Sequence, residues 1–125
     1  MNFNSILIGS EKPEALVEYY TKLFGAPGFQ GDGYAGWQLG AGSLTVGPHS
    51  EVHGRNAQPG RLLWNIETSD VRGDFAKLQA AGAIVIREPY EYEGESVSAI
   101  ATLADPDDNY FQLMSPMDMG REGAA

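Results

Sequence analysis

Ala-Asp-Pro-Asp-Asp-Asn-Tyr-Phe-Gln-Leu-Met-Ser-Pro, residues 104–116, reads as a tight acidic turn running into a strand. Pro106 fixes its own φ, and the Asp and Asn side chains around it bond back to nearby backbone and tolerate unusual φ/ψ. From Tyr110 to Met114 the side chains alternate. Phe111 and Leu113 point one way; Tyr110, Gln112 and Met114 point the other, and that second face, with an amide and a thioether, suits the lining of a pocket.

Working outward, residues 97–103 pair with this strand as a hairpin about the turn. Before them, residues 88–96, with Pro89, Tyr90 and Tyr92, read as an acidic, aromatic loop or an irregular strand. Residues 83–86 are a short strand. Residues 61–68 are another, followed by a helix that Asp70 caps and Gly82 closes, with Val71, Phe75 and Leu78 on its packing face. The same order occurs earlier in the chain. Residues 4–9 are a strand in which Ser5 and Leu7 share a face. Ser10 is expected to cap a helix with Pro13 and Glu14 in its first turn, a stripe of Leu16, Val17, Tyr20, Leu23 and Phe24, and Gly25 at its end. Residues 34–39 and 43–46 form a hairpin about Gly40-Ala41-Gly42; a three-residue turn puts Trp37 across from Thr45, with Leu44 and Val46 on the opposite face. Residues 5–20 match 63–78 at a constant offset of 58, an internal repeat. One such unit leaves the second face of its sheet open, and two side by side would curve those faces around a cavity.

At 125 residues the chain is expected to be a single domain: module one over 1–48, a linker rich in Pro and Gly over 49–60, module two over 61–117 and a polar tail over 118–125. There is no cysteine, hence no disulfide, thiolate metal site or cysteine nucleophile. No apolar run reaches membrane-spanning length and no basic start precedes an apolar segment, so a cytoplasmic protein with no membrane contact is expected. The net charge of −9 argues against nucleic acid and favours a neutral or cationic small ligand.

Residues 10–25, 67–82 and 105–113 together resemble the vicinal-oxygen-chelate superfamily, which includes glyoxalase I, extradiol dioxygenases and bleomycin-resistance proteins. The resemblance implies an α+β fold of two βαβββ modules forming a curved mixed sheet around a central cavity, and commonly a homodimer. Asp108 stands where the resembling families usually have Gly, and Asp accepts left-handed backbone at modest cost. The metal ligands of such proteins fall here on Ser5, Leu63 and Gln112, and by the repeat on Thr45. Leu63 offers no donor and the other three are neutral, weak oxygen donors, so no metal and no cofactor is expected; a divalent metal in an atypical site is the alternative.

Other motifs carry less. His49 and His53 are four positions apart in a segment with Pro48, Gly54 and Pro59, so they read as linker histidines rather than a helical metal pair. Asp105, Asp107 and Asp108 lack the spacing and the distal Glu of a calcium loop. The expected function is therefore small-molecule binding of the glyoxalase/bleomycin-resistance type, sequestering a planar or cationic organic compound. Trp37 and Tyr110 would stack on it; Ser5, Thr45, Asn65 and Gln112 would line or orient it; Leu63 and Met114 would supply apolar wall. Tyr90 and Tyr92 are further aromatics that could stack. Two alternatives stay open: a lyase, isomerase or dioxygenase with Glu67 as the candidate acid/base or replacement ligand, and a structural or regulatory module with a vestigial pocket.

Overall fold

The computed structural model describes residues 1–91 and 99–116. Its elements are β1 (Ser5–Ser10), α1 (Pro13–Phe24), β2 (Phe29–Gly31), β3 (Tyr34–Leu39), β4 (Gly42–Pro48), β5 (Leu63–Glu67), α2 (Val71–Ala80), β6 (Ile84–Tyr90), β7 (Ile100–Ala104) and β8 (Tyr110–Met114). A 3-10 turn at Pro59–Arg61 precedes β5. The expected α+β pair of βαβββ modules is therefore present.

Each module has its own mixed sheet, in the orders β1-β4-β3-β2 and β5-β8-β7-β6. The β1–β4 and β5–β8 pairs are parallel and the others antiparallel. The repeat extends to register. Leu7 pairs with Thr45 as Asn65 pairs with Gln112, so Thr45 holds in the first sheet the place that Gln112 holds in the second.

By compactness the chain divides into two units, Met1–Ala57 with Asp105–Asp108, and Gln58–Ala104 with the described residues from Asn109. In the first, α1 packs Leu16 and Tyr20 over one face of the sheet, where Ile8, Ala35, Trp37, Leu44 and Val46 are buried. Each large apolar side chain enclosed in this way contributes about 1.5–3 kcal/mol. In the second, α2 brings Val71, Phe75 and Leu78 onto its sheet, whose buried face includes Ala101, Leu103, Phe111 and Leu113. Trp64 lies on Phe111 there, ring centroids 4.6 Å apart.

Four local features differ from the sequence expectation. Ser10 ends β1 instead of capping α1. Pro13 occupies the first helical position, and Lys12 before it, at φ/ψ of −128° and 69°, is the cap residue. The Ser10 hydroxyl accepts from the Lys12 N–H and donates to Asp107. Second, β2 was not anticipated: Asp32 and Gly33, at φ 54° and 85°, make the two-residue turn that joins it to β3. Third, Leu39 pairs with Gly42, so the β3–β4 turn is the two residues Gly40-Ala41 rather than three. Fourth, β6 runs on to Tyr90 as an edge strand, where Pro89 is tolerated. The expectations for Tyr92 and the tail over 118–125 fall outside the described residues.

The acidic turn belongs to the first unit and is anchored there. The Tyr20 hydroxyl donates to Asp105 at 2.8 Å, the Ser10 hydroxyl to Asp107 at 2.6 Å, and the Arg55 guanidinium to Asp108 at 2.8 Å. The Asn56 N–H donates to the Asp107 carbonyl at 2.7 Å. Asp108 takes φ 64°, the left-handed conformation anticipated for it.

Candidate functional site

In each unit one face of the sheet carries the helix, and period-two alternation sends every second residue to the helix-free face. On the second sheet this face has three straight rows, each running from strand to strand through register partners. The first is Leu63, Tyr110, Ala104 and Ile84; the second is Asn65, Gln112, Thr102 and Arg87; the third is Glu67, Met114, Ile100 and Tyr90. A polar row thus lies between two rows that are mainly apolar. Leu63, Asn65, Glu67, Tyr110, Gln112 and Met114 share this face, the arrangement that the alternation of residues 63–67 and 110–114 implies.

Bonding and packing fix the middle of the face. The Gln112 amide donates to the Thr102 hydroxyl at 3.2 Å. Met114 and Ile100 are buried against each other, and Tyr90 packs on them. Asn65, Glu67 and Arg87 are exposed, while Tyr110, Gln112 and Tyr90 are half-buried. Glu67 is thus an exposed carboxylate at the edge-strand end of its row.

Arg87 reaches this face because β6 is irregular. Val85 pairs with Leu103 and Arg87 with Thr102, leaving Ile86 as an extra residue between them. Regular alternation would have sent Ile86 to the helix-free side and Arg87 to the other; a bulge re-aims the side chains after it. The Arg87 guanidinium then lies over the Tyr90 ring, 3.6 Å from its centroid.

The first sheet differs. Its helix-free face carries Ser5, Leu7 and Gly9 on β1, Ser43, Thr45 and Gly47 on β4, and Gly36 and Gln38 on β3. At Gly36 the place of a side chain is taken by the Phe29 ring, and at Gly47 by the Tyr34 ring. The His49 side chain lies close over Gly9. Much of this face is therefore covered by the unit's own rings. Ser5 is exposed and Thr45 half-buried; Ser43 donates to Gln38 at 2.9 Å.

Trp37 does not join Thr45. The two-residue turn shifts the hairpin by one, so Trp37 pairs with Leu44 and points to the helix side. It is 3% exposed, donates from Nε1 to the Gly25 carbonyl at 2.8 Å, and sits 5.9 Å from the Tyr20 ring. It is a core residue and leaves the set of ligand-stacking candidates.

The positions of the superfamily's metal ligands do not fit a metal. Ser5 and Thr45 are near neighbours on the first helix-free face, and Leu63 and Gln112 are the equivalent pair on the second. One of the four has no donor atom, two offer hydroxyls, and Gln112 offers only a neutral amide oxygen, its amide nitrogen donating to Thr102. Among the described residues no three His, Asp or Glu side chains gather as a metal site. Both histidines are in the 49–54 turn: the His49 ring accepts from the Glu51 N–H at 3.2 Å, and His53 lies 3.3 Å from Glu11. The Glu11 carboxyl is held below the usual carboxylate range by the Gly54 N–H and by His53.

A groove of about 360 Å³ in the first unit runs past Glu14, Val17 and Glu18 of α1 and Gln30, Gly31, Gly33 and Tyr34. None of the residues singled out from the sequence as ligand-binding lines it. Among the described residues, no helix is long and apolar enough to cross a membrane.

The profile of a family described as glyoxalase-like domain matches residues 5–114. No curated protein matches the chain. Solved structures do. A glyoxalase-related enzyme from Fulvimarina pelagi superposes with a TM-score of 0.71 at 20% identity, covering 93% of this chain and 88% of its own. A glyoxalase/bleomycin resistance protein/dioxygenase family enzyme from Burkholderia phytofirmans PsJN gives 0.70 at 21%, covering 92% and 98%. A glyoxalase/bleomycin resistance protein from Catenulispora acidiphila DSM 44928 gives 0.67 at 20%, covering 92% and 96%. At these identities the likeness is one of fold.

Proposed function

The chain belongs to the glyoxalase-like domain family, within the vicinal-oxygen-chelate superfamily, and from that premise we propose that it is a small-molecule-binding protein acting without metal. Its ligand is a planar organic compound lying along the helix-free face of the second sheet. The observation that carries this reading is the polar row Asn65, Gln112, Thr102 and Arg87 set between rows containing Tyr110, Met114, Ile100 and Tyr90. Such a surface offers ring contacts on both sides of a line of hydrogen-bonding groups, the usual composition of a small-molecule site. Glyoxalase or dioxygenase chemistry would call for a metal, and the donor set at the family's ligand positions does not supply one.

The test is a thermal-shift screen of planar aromatic compounds with chelator present, alongside elemental analysis of protein purified without nickel affinity. A compound at a hundredfold its Kd stabilises by about 2.7 kcal/mol, a shift of several degrees for a domain of this size. The expected result is a hit that chelator leaves unchanged and Gln112→Leu weakens, with metal well below one equivalent per chain. Near-stoichiometric iron, manganese, nickel or zinc, together with a fall in melting temperature on chelation, would overturn the reading.

A further inference from the structure

Arg87 stands apart from the other arginines of the described chain. Arg55 pairs with Asp108 and Arg72 with Glu91, while Arg61 donates twice to Gln58. In a chain with 17 carboxylates, Arg87 has no carboxylate or other hydrogen-bonding partner among the described residues. Its partner group among the described residues is the Tyr90 ring, and the bulge in β6 turns it onto the polar row beside Thr102. A guanidinium stacked face-on to a ring keeps its in-plane N–H groups free, and those groups form the fork that matches a carboxylate. The opposite end of the row lies three strand spacings away, about 14 Å, and ends in the neutral Asn65.

We propose that Arg87 is the anion-binding residue of this face and that the ligand is a planar aromatic carboxylate, its carboxylate on Arg87 and its ring along the rows of Tyr110 and Met114. The inference rests on the binding function proposed above and deepens it. It also reverses the preference that net charge suggests. At physiological salt the field of distant surface carboxylates is screened over about 8 Å, whereas a directly bonded guanidinium acts at contact. The aromatic edge of Tyr90 would flank the carboxylate, and the Thr102–Gln112 pair would meet the first polar substituent of the ring.

The probes are 2-naphthoate and its uncharged amide, 2-naphthamide, titrated calorimetrically into the full chain. The acid is expected to bind about tenfold more tightly than the amide, the discrimination that a charge-assisted, forked contact supplies. Arg87→Gln should reduce that ratio to within about twofold, and Arg87→Lys should keep part of it, because charge survives and the fork does not. Arg72→Gln, on the surface of α2, serves as a control that leaves the ratio intact. Melting curves establish that each variant is folded; should Arg87→Gln not fold, Arg87→Lys and Tyr90→Leu carry the test, each reducing the ratio. Equal binding of acid and amide to the wild-type chain, or a ratio insensitive to Arg87, overturns the anion assignment while leaving the binding function standing. Binding of neither probe removes the planar-ligand reading and this inference with it.

Discussion

The hydroxyl of Tyr20 meets the carboxylate of Asp105 where neither residue touches solvent. Burial, and then the charge and hydrogen bond of Asp105, push the phenol far above its ordinary value near 10. In the unfolded chain the phenol ionises as pH rises through about 10, and in the folded one it does not. Its contribution to stability is therefore complete below about pH 10 and is lost above it, at about 1.4 kcal/mol per pH unit. Tyr20→Phe should cost about 1.5–3 kcal/mol at neutral pH, the worth of a hydrogen bond to a charged group, and leave a buried carboxylate short of a donor. Urea titrations at pH 7 and at pH 11 check both statements. The gap between wild type and variant should narrow at the higher pH; a constant gap would mean that Tyr20 ionises alike in both states.

Strands show why part of the site could be read in advance and part could not. Residues 63–67 and 110–114 alternate without interruption, so the faces of Leu63, Asn65, Tyr110 and Gln112 follow from spacing alone. The β3–β4 hairpin turned on one residue. Three consecutive small residues, Gly40, Ala41 and Gly42, conceal whether the turn has two or three, and that difference exchanges the faces of Trp37 and Gln38. The Asp32-Gly33 pair that marks β2 is a standard two-residue hairpin signal and was available in the sequence. Arg87 had no such marker, because a bulge breaks the period that would announce its face. Phe29 and Tyr34 were missed for a related reason: the glycines they cover, Gly36 and Gly47, show where rings can lie only after strand pairing is known. Trp37→Ala distinguishes the two registers experimentally. As a core residue it should cost about 3–5 kcal/mol in chemical denaturation. A well-folded variant with weakened ligand binding would instead place Trp37 on the helix-free face.

At the scale of the whole chain, a net charge of −9 argues against nucleic acid as a partner and favours a neutral or cationic ligand, whereas the proposed site would set a single guanidinium at contact against that diffuse negative surface. The acidic turn that opened the sequence reading has a consequence for assembly in time. Its hydrogen bonds from Tyr20 and Ser10 cross 85 and 97 residues of sequence. Contacts so remote must meet their loop-closure entropy before they stabilise anything. As the polypeptide leaves the ribosome, the amino-terminal unit would wait, with Tyr20 lacking its acceptor, until the turn between β7 and β8 has been made. Maturation from the amino terminus onward, common among proteins whose units are consecutive in sequence, is therefore expected to be closed to this chain. A polypeptide of residues 1–60 should accordingly show no cooperative melt by circular dichroism, and a sharp transition in that fragment would refute the requirement. Translation is expected to run almost to the end of the second repeat before the first becomes native.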